Sequence, residues 1–116
     1  MIESIRAGRL VDVVEEDTLA DALAGGLGEV NKHSFALCRD LLDELVTVTE
    51  DEIGAAMAAL AARAGLVVEG GGAVGVAALM AGRVPPAEGT VVVVSGGNVD
   101  PAVVDRLVQD HGSMPG

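Results

Sequence analysis

The residues best placed for chemistry lie where an apolar run breaks into small polar ones. Val91-Val92-Val93-Val94 runs directly into Ser95-Gly96-Gly97-Asn98. Four β-branched residues in succession predict a strand buried on both faces. The glycines after Ser95 permit a sharp turn and a close approach of backbone to a bound molecule. Ser95 then sits at the carboxyl end of the strand, where open α/β sheets hold their ligands. The junction predicts a small-molecule site of which this chain supplies one part.

A second glycine-rich stretch, Gly70-Gly71-Gly72-Ala73-Val74-Gly75, contains G-x-G-x-x-G after an apolar segment and before a helical one. That is the layout of a dinucleotide fingerprint. A nicotinamide unit wants an acid at the end of the next strand, about 20 residues on, to bind ribose hydroxyls. Ser95 occupies that place, and Glu88 lies in a Pro/Gly loop before the strand. The glycines are read instead as close packing of a buried helix. Glu69 lies between the apolar segment and these glycines. A buried carboxylate needs a partner or a raised pKa. Glu69 is therefore either a site residue or an acid favoured by the start of a helix.

The other chemically capable side chains have plainer explanations. His33 and His111 have no second ligand at metal spacing, so both read as surface residues. Cys38, the sole cysteine, falls at helical spacing with Phe35 and Leu42 and reads as a buried structural thiol. Glu50-Asp51-Glu52 forms an acidic first helical turn that the macrodipole explains. Glu15-Glu16-Asp17 reads as a solvated turn rather than a cation site. Lys32, the only lysine, is flanked by Asn31 and His33 rather than by an apolar pocket, so it is a poor candidate for covalent catalysis.

The elements that must position these residues follow from spacing and punctuation. Met1 to Ala7 predicts the end of a helix capped by Gly8. Leu10 to Val14 reads as extended, and Asp21 to Gly26 as a short helix or a ligand-facing loop. Phe35, Cys38, Leu42 and Leu45 predict a helix from about Lys32 to Asp43. Leu45 to Val48 reads as a strand. Thr49 caps the next helix, with Glu52 completing a capping box. Ile53, Met57, Leu60 and Ala64 form its apolar stripe, and Gly65 ends it. Leu66-Val67-Val68 is a strand or a buried connector. Ala73 to Ala81 predicts a buried helix stopped by Gly82, and Thr90 to Val94 a strand. Asp100 and Pro101 open a last helix, with an apolar face that includes Val103, Val104, Leu107 and Val108. His111 to Gly116 reads as a frayed tail.

Strands alternating with helices predict an α/β fold with a partial parallel sheet flanked by helices. Two or three strands leave edges and faces uncovered, so elements are expected from a partner or from sequence ahead of Met1. The chain has 116 residues, half of them apolar, with Phe35 as the only aromatic. Its core must rest on small side chains, so it should be marginally stable alone. A net charge of −11, from 18 acids and 7 bases, argues against nucleic acid and against an anionic membrane surface. Apolar runs fall far below the roughly 18 residues a membrane span needs, and no signal peptide is expected, which leaves the cytoplasm as the default compartment.

Five stretches in order resemble a known family. They are Thr18-Leu19-Ala20-Asp21; Phe35 with Arg39-Asp40-Leu41-Leu42-Asp43; Val48-Thr49-Glu50-Asp51-Glu52-Ile53; Val67-Val68-Glu69-Gly70-Gly71-Gly72-Ala73; and Val94-Ser95-Gly96-Gly97-Asn98-Val99-Asp100. Their order and spacing resemble the C-terminal part of the threonine dehydratase and serine racemase family. These are pyridoxal-phosphate enzymes of fold-type II, the tryptophan-synthase-β type. Glu3 to Arg9 and Val14 to Gly26 look most like hydroxyectoine-utilisation dehydratases.

The resemblance implies roles. Ser95 would hydrogen-bond the pyridine nitrogen of pyridoxal 5'-phosphate, with Gly96 beside it. Glu69 would lie near the ring, and the Ala20-Asp21 turn, followed by Ala22, would approach from another side. Ala22 stands where relatives usually carry glycine, which makes close backbone approach less secure. The Schiff-base lysine and the phosphate loop of this family have no match here, so no catalytic residue and no metal ligand is expected in residues 1–116. The chain would be the C-terminal portion of a dehydratase catalytic domain, through a truncated reading frame or a trimmed chain. The complete protein would be a homo-oligomer acting on a hydroxy amino acid: threonine, serine or a hydroxyectoine-derived one. Lyase and racemase chemistry both stay open. The rival readings are a non-catalytic acidic interaction module or decayed remnant, and a nicotinamide-binding half-domain.

Overall fold

The computed structural model describes residues 1–12, 17–28 and 31–111. The chain divides into two compact units. One comprises Met1–Glu16 and Ala24–Leu45, the other Asp17–Leu23 and Val46–Gly116.

In the first unit, helix α1 spans Ile2–Ala7 and ends at Gly8 as its spacing predicts. Its Ser4 is buried at 1% exposure, with its hydroxyl accepting a hydrogen bond from the Val11 amide at 3.1 Å. A buried hydroxyl needs such a partner. Helix α2 covers Ser34–Leu41 and packs against α1. It is shorter than the Lys32 to Asp43 span predicted from the apolar spacing. The Asn31 side chain, three residues ahead, accepts from the Phe35 amide at 2.8 Å and exchanges hydrogen bonds with the Ser34 hydroxyl. That local competition for backbone donors delays the helix start. Phe35 is buried, but Cys38 is only half-buried and Leu42 is exposed, so the expected buried thiol is corrected.

In the second unit, helix α3 (Glu50–Ala64) packs against both α4 (Gly70–Met80) and α5 (Pro101–His111). Its capping box forms as predicted: Thr49 Oγ1 accepts from the Glu52 amide at 3.2 Å, and the Glu52 carboxylate accepts from the Thr49 amide at 3.1 Å. Gly65, at φ 66°, closes the other end. Ile53, Ala56, Met57 and Leu60 join Ala20, Val68, Ala73, Ala77 and Val104 in one core, while Ala64 is exposed. Asp100 Oδ1 accepts from the Ala102 amide at 2.9 Å, the N-terminal cap read from Asp100-Pro101. His111 belongs to the last turn of α5 and lies half-buried against Gly54 of α3, so the frayed tail does not begin at His111.

Helix α4 begins at Gly70, three residues before the predicted start, because its first turn is made of the glycines themselves. Among the described residues no strand is formed. Residues 44–49, 66–69 and 90–97 are without helix or strand. The expectation that Val91 to Val94 is buried on both faces is corrected: Val91 and Val93 are 89% and 80% exposed, while Val92 and Val94 are half-buried. Val92 lies against α4 where Gly75 leaves room. The period of two is that of an extended segment with one covered face. Leu66 and Val67 are exposed and Val68 is buried, and the segment pairs with no other as a strand among the described residues. The predicted Leu10 to Val14 segment and the Glu15-Glu16-Asp17 turn lie partly outside the described residues, as does the tail beyond His111.

Candidate functional site

The five residues singled out from the sequence as lining a site all belong to the second unit. The structure gathers them around the first turn of α4. Glu69 occupies the N-cap position in extended conformation, half-buried, and its side chain makes no capping hydrogen bond. Its amide donates to the Gly96 carbonyl at 3.0 Å, and its carbonyl accepts from the Gly72 amide at 3.0 Å. The connector before α4 and the loop after Val94 are thereby tied at one point.

The three glycines set the distances. A Cβ on Gly72 would collide with the Ser95 carbonyl oxygen, and one on Gly70 with the Leu19 carbonyl. At Gly71 an added Cβ would meet Ala22 Cβ at 3.6 Å and Leu23 Cγ at 3.4 Å. The triplet thus faces two loops at once, the one carrying Asp21 and Ala22 and the one carrying Ser95. Gly96 adds a fourth constraint. It holds φ 82°, and any Cβ there would run into the Glu69 carboxylate. Close packing, the structural reading of the glycines, is what they do.

The second loop is a single 3₁₀ turn, Asp21–Leu23, packed on α4. This resolves the choice left open between a short helix and a loop. Ala20 N–H donates to Thr18 Oγ1 at 3.0 Å, and Leu23 N–H closes the turn on the Ala20 carbonyl at 2.9 Å. The carboxylate of Glu50, on the first turn of α3, accepts from the Leu19 amide at 2.7 Å and from the Thr18 hydroxyl. No spacing signal pointed to this contact, which joins positions 31 and 32 residues apart. The acidic first turn of α3 thus makes a tertiary contact besides complementing the helix dipole.

Asp21, Ala22, Ser95 and Gly96 are exposed, so a ligand can reach them. Among the described residues the Ser95 hydroxyl makes no hydrogen bond to a protein group. It can donate to a neutral nitrogen or accept from a cation. The half-buried Glu69 carboxylate is acceptor-only when ionised. Lys32 is exposed and belongs to the other unit. Among the described residues no three His, Cys, Asp or Glu side chains converge on a metal position. None of the helices among these residues is long and apolar enough to cross a membrane.

Comparison with known proteins places this arrangement in context. A family described as "Pyridoxal-phosphate dependent enzyme" matches residues 1–96. A Sinorhizobium fredii protein whose name carries the words "threonine dehydratase" is 46% identical over 101 residues, covering 86% of this chain and 30% of the relative. The L-threonine ammonia-lyase of Geobacter sulfurreducens is 45% identical over 107 residues, covering 91% of the chain and 26% of the relative. That of Thermotoga maritima is 39% identical over 108 residues, covering 93% and 26%. The chain therefore spans between a quarter and a third of the length of the curated relatives it matches.

Proposed function

The chain belongs to the family of pyridoxal-phosphate dependent enzymes, and on that premise we propose that it forms part of an ammonia-lyase that dehydrates and deaminates a hydroxy amino acid. The observation that carries this reading is the convergence of Ser95, Gly96, Glu69 and the Asp21-Ala22 turn on one glycine-built helix start. The donor set suits the family's cofactor. An exposed serine hydroxyl can meet a ring nitrogen, and glycines leave its surroundings free of side-chain bulk.

When bound, pyridoxal 5'-phosphate supplies the electron sink for charge left on the substrate α-carbon. Ser95 would hold the pyridine nitrogen with a hydrogen bond from its neutral hydroxyl, so the ring would act as a moderate electron sink of the kind a β-elimination needs. Glu69, tied to Gly96 through the backbone, holds the Ser95 loop against α4. Asp21 and Ala22 would approach the ring from another side. No catalytic residue is assigned to this chain: on this reading the lysine that would carry the cofactor is not among residues 1–116, since Lys32 does not match the family's lysine motif.

In the complete enzyme we assign 66–68 and 90–94 to a partial parallel sheet of fold-type II, the enzyme being a cytoplasmic homo-oligomer. Threonine is the first substrate to test, since all three of these relatives are named for it. Serine and a hydroxyectoine-derived amino acid follow. A second reading, a non-catalytic acidic module that pairs through an exposed edge, draws on the exposure of Val91 and Val93.

The test is a chimera in which this chain replaces the matched 107-residue stretch of the Geobacter sulfurreducens lyase. The expected result is ammonia release from threonine, falling roughly tenfold or more in Ser95→Ala, as loss of a positioned donor implies. A folded chimera that binds the cofactor yet releases no ammonia from any of the three substrates would leave the module reading standing.

A further inference from the structure

The acidic first turn of α3 does more than complement a helix dipole. Glu52 turns inward to the capping box and outward to Arg83, whose guanidinium it meets at 2.7 Å. Glu50 turns the other way and takes both the Thr18 hydroxyl and the Leu19 amide. A carboxylate accepting two donors makes charge-assisted hydrogen bonds, stronger than neutral ones.

The consequences pass along the chain in three steps. Glu50 orients the Thr18 hydroxyl, since that group must donate to it. The Thr18 oxygen is then available to accept from Ala20 N–H. The Ala20 carbonyl in turn accepts from Leu23 N–H, closing the turn that presents Asp21 and Ala22. On the far side, the Leu19 carbonyl abuts Gly70, where no side chain could fit. The segment is gripped between α3 and α4.

We propose that Glu50 is a positioning residue for the candidate site: by clamping Thr18 and Leu19 it fixes the Asp21-Ala22 turn against the glycine triplet. The proposal rests on the lyase reading only for what the turn is used for. The clamp itself is a property of this chain.

Amide hydrogen exchange on the 116-residue chain tests the clamp first. The diagnostic amide is that of Leu23, which bonds to Ala20 and not to Glu50. In Glu50→Ala its exchange is expected to rise about tenfold, while the amides of α5 and the middle of α3 keep their protection. Thr18→Val, which leaves α3 untouched, should raise Leu23 exchange similarly. Glu50→Gln, which keeps an acceptor for Leu19 N–H, should restore most of the protection. Unchanged Leu23 exchange in both Glu50→Ala and Thr18→Val would overturn the proposal. So would a loss spread evenly over α3 and α5, which marks a helix-capping effect alone.

The chimera then tests the consequence for catalysis. Glu50→Ala should lower kcat/KM for threonine at least fivefold, with recovery in Glu50→Gln. Full turnover in a chimera whose Leu23 amide is deprotected would also overturn the positioning role. A chimera inactive with Glu50 intact defeats the lyase reading instead, and the exchange data then decide the clamp by themselves.

Discussion

At the scale of single residues, the glycine triplet carries the clearest sequence-to-structure logic. Gly72 has no Cβ because the Ser95 carbonyl stands where that atom would be. Gly72→Ala must push the Ser95 loop off α4 or shift the helix start. It is expected to cost about 1–3 kcal/mol, the usual range for overpacking, measured by urea denaturation. Gly97→Ala is the control. Its nearest neighbour would be the Val67 carbonyl at 3.8 Å, an ordinary contact, so it should change stability by less than about 0.5 kcal/mol. Equal costs at both positions would show that the close approach at Gly72 is not the cause. Ser95→Ala belongs with the control for stability, since the side chain is exposed. Its effect is confined to ligand chemistry.

At the scale of elements, α3 is the best-specified helix of the chain. Thr49 and Glu52 satisfy two end amides reciprocally, and Arg83 adds a bidentate grip on the same carboxylate, 2.7 and 3.2 Å from its two oxygens. Thr49→Ala should destabilise the chain by about 1 kcal/mol, the usual worth of such a cap, read as a shift in the urea midpoint. The Glu52 carboxyl is held down to about 2 by the Arg83 guanidinium, aided by the Thr49 amide, against an ordinary value of 4.5. A lowered carboxylate favours the folded state fully above pH 4.5 and loses that contribution as pH falls towards 2. Stability should therefore decline through that window. Glu52→Gln should flatten this part of the profile while lowering the plateau near neutral pH. An unaltered acid limb in Glu52→Gln would mean that other carboxyls govern it.

At the scale of the whole molecule, the core of the second unit is mostly alanine and valine, with Ile53, Met57 and Leu60 of α3 as its larger members. Met57 is 1% exposed at the centre of α3, among Ala56, Ala73 and Ala77. Alanines cannot collapse into the space it would leave. Met57→Ala should thus cost about 2–5 kcal/mol, enough to unfold a marginal chain at 37 °C, and loss of helical circular dichroism would report it. The surface behaves oppositely. Val91 and Val93 project outward, so changing both to threonine should alter the stability of this chain by less than about 0.5 kcal/mol. The same pair of changes should reduce concentration-dependent association seen by light scattering, because exposed apolar extended segments invite pairing.

The sequence by itself determined the features that depend on near neighbours. The caps at Gly8, Thr49 and Gly65, the Asp100-Pro101 start of α5 and the Ile53-Met57-Leu60 stripe each follow from residues within one or two turns. The candidate site was legible for a similar reason. Glu69, Ser95 and Gly96 mark ends of apolar runs, and their place in five ordered stretches pointed to the family that comparison then showed. Only the tertiary structure decided the rest. Whether Val91 to Val94 is covered on one face or two depends on what lies beside it, and four valines read the same either way. The half-buried Cys38 and the helical His111 likewise depend on neighbours far along the chain or on local side-chain competition. The Glu50 clamp and the glycine contacts with Leu19 and Ser95 join residues 23 to 51 positions apart. No periodicity encodes such pairings, because they form only after three helices have packed and brought those backbones within reach.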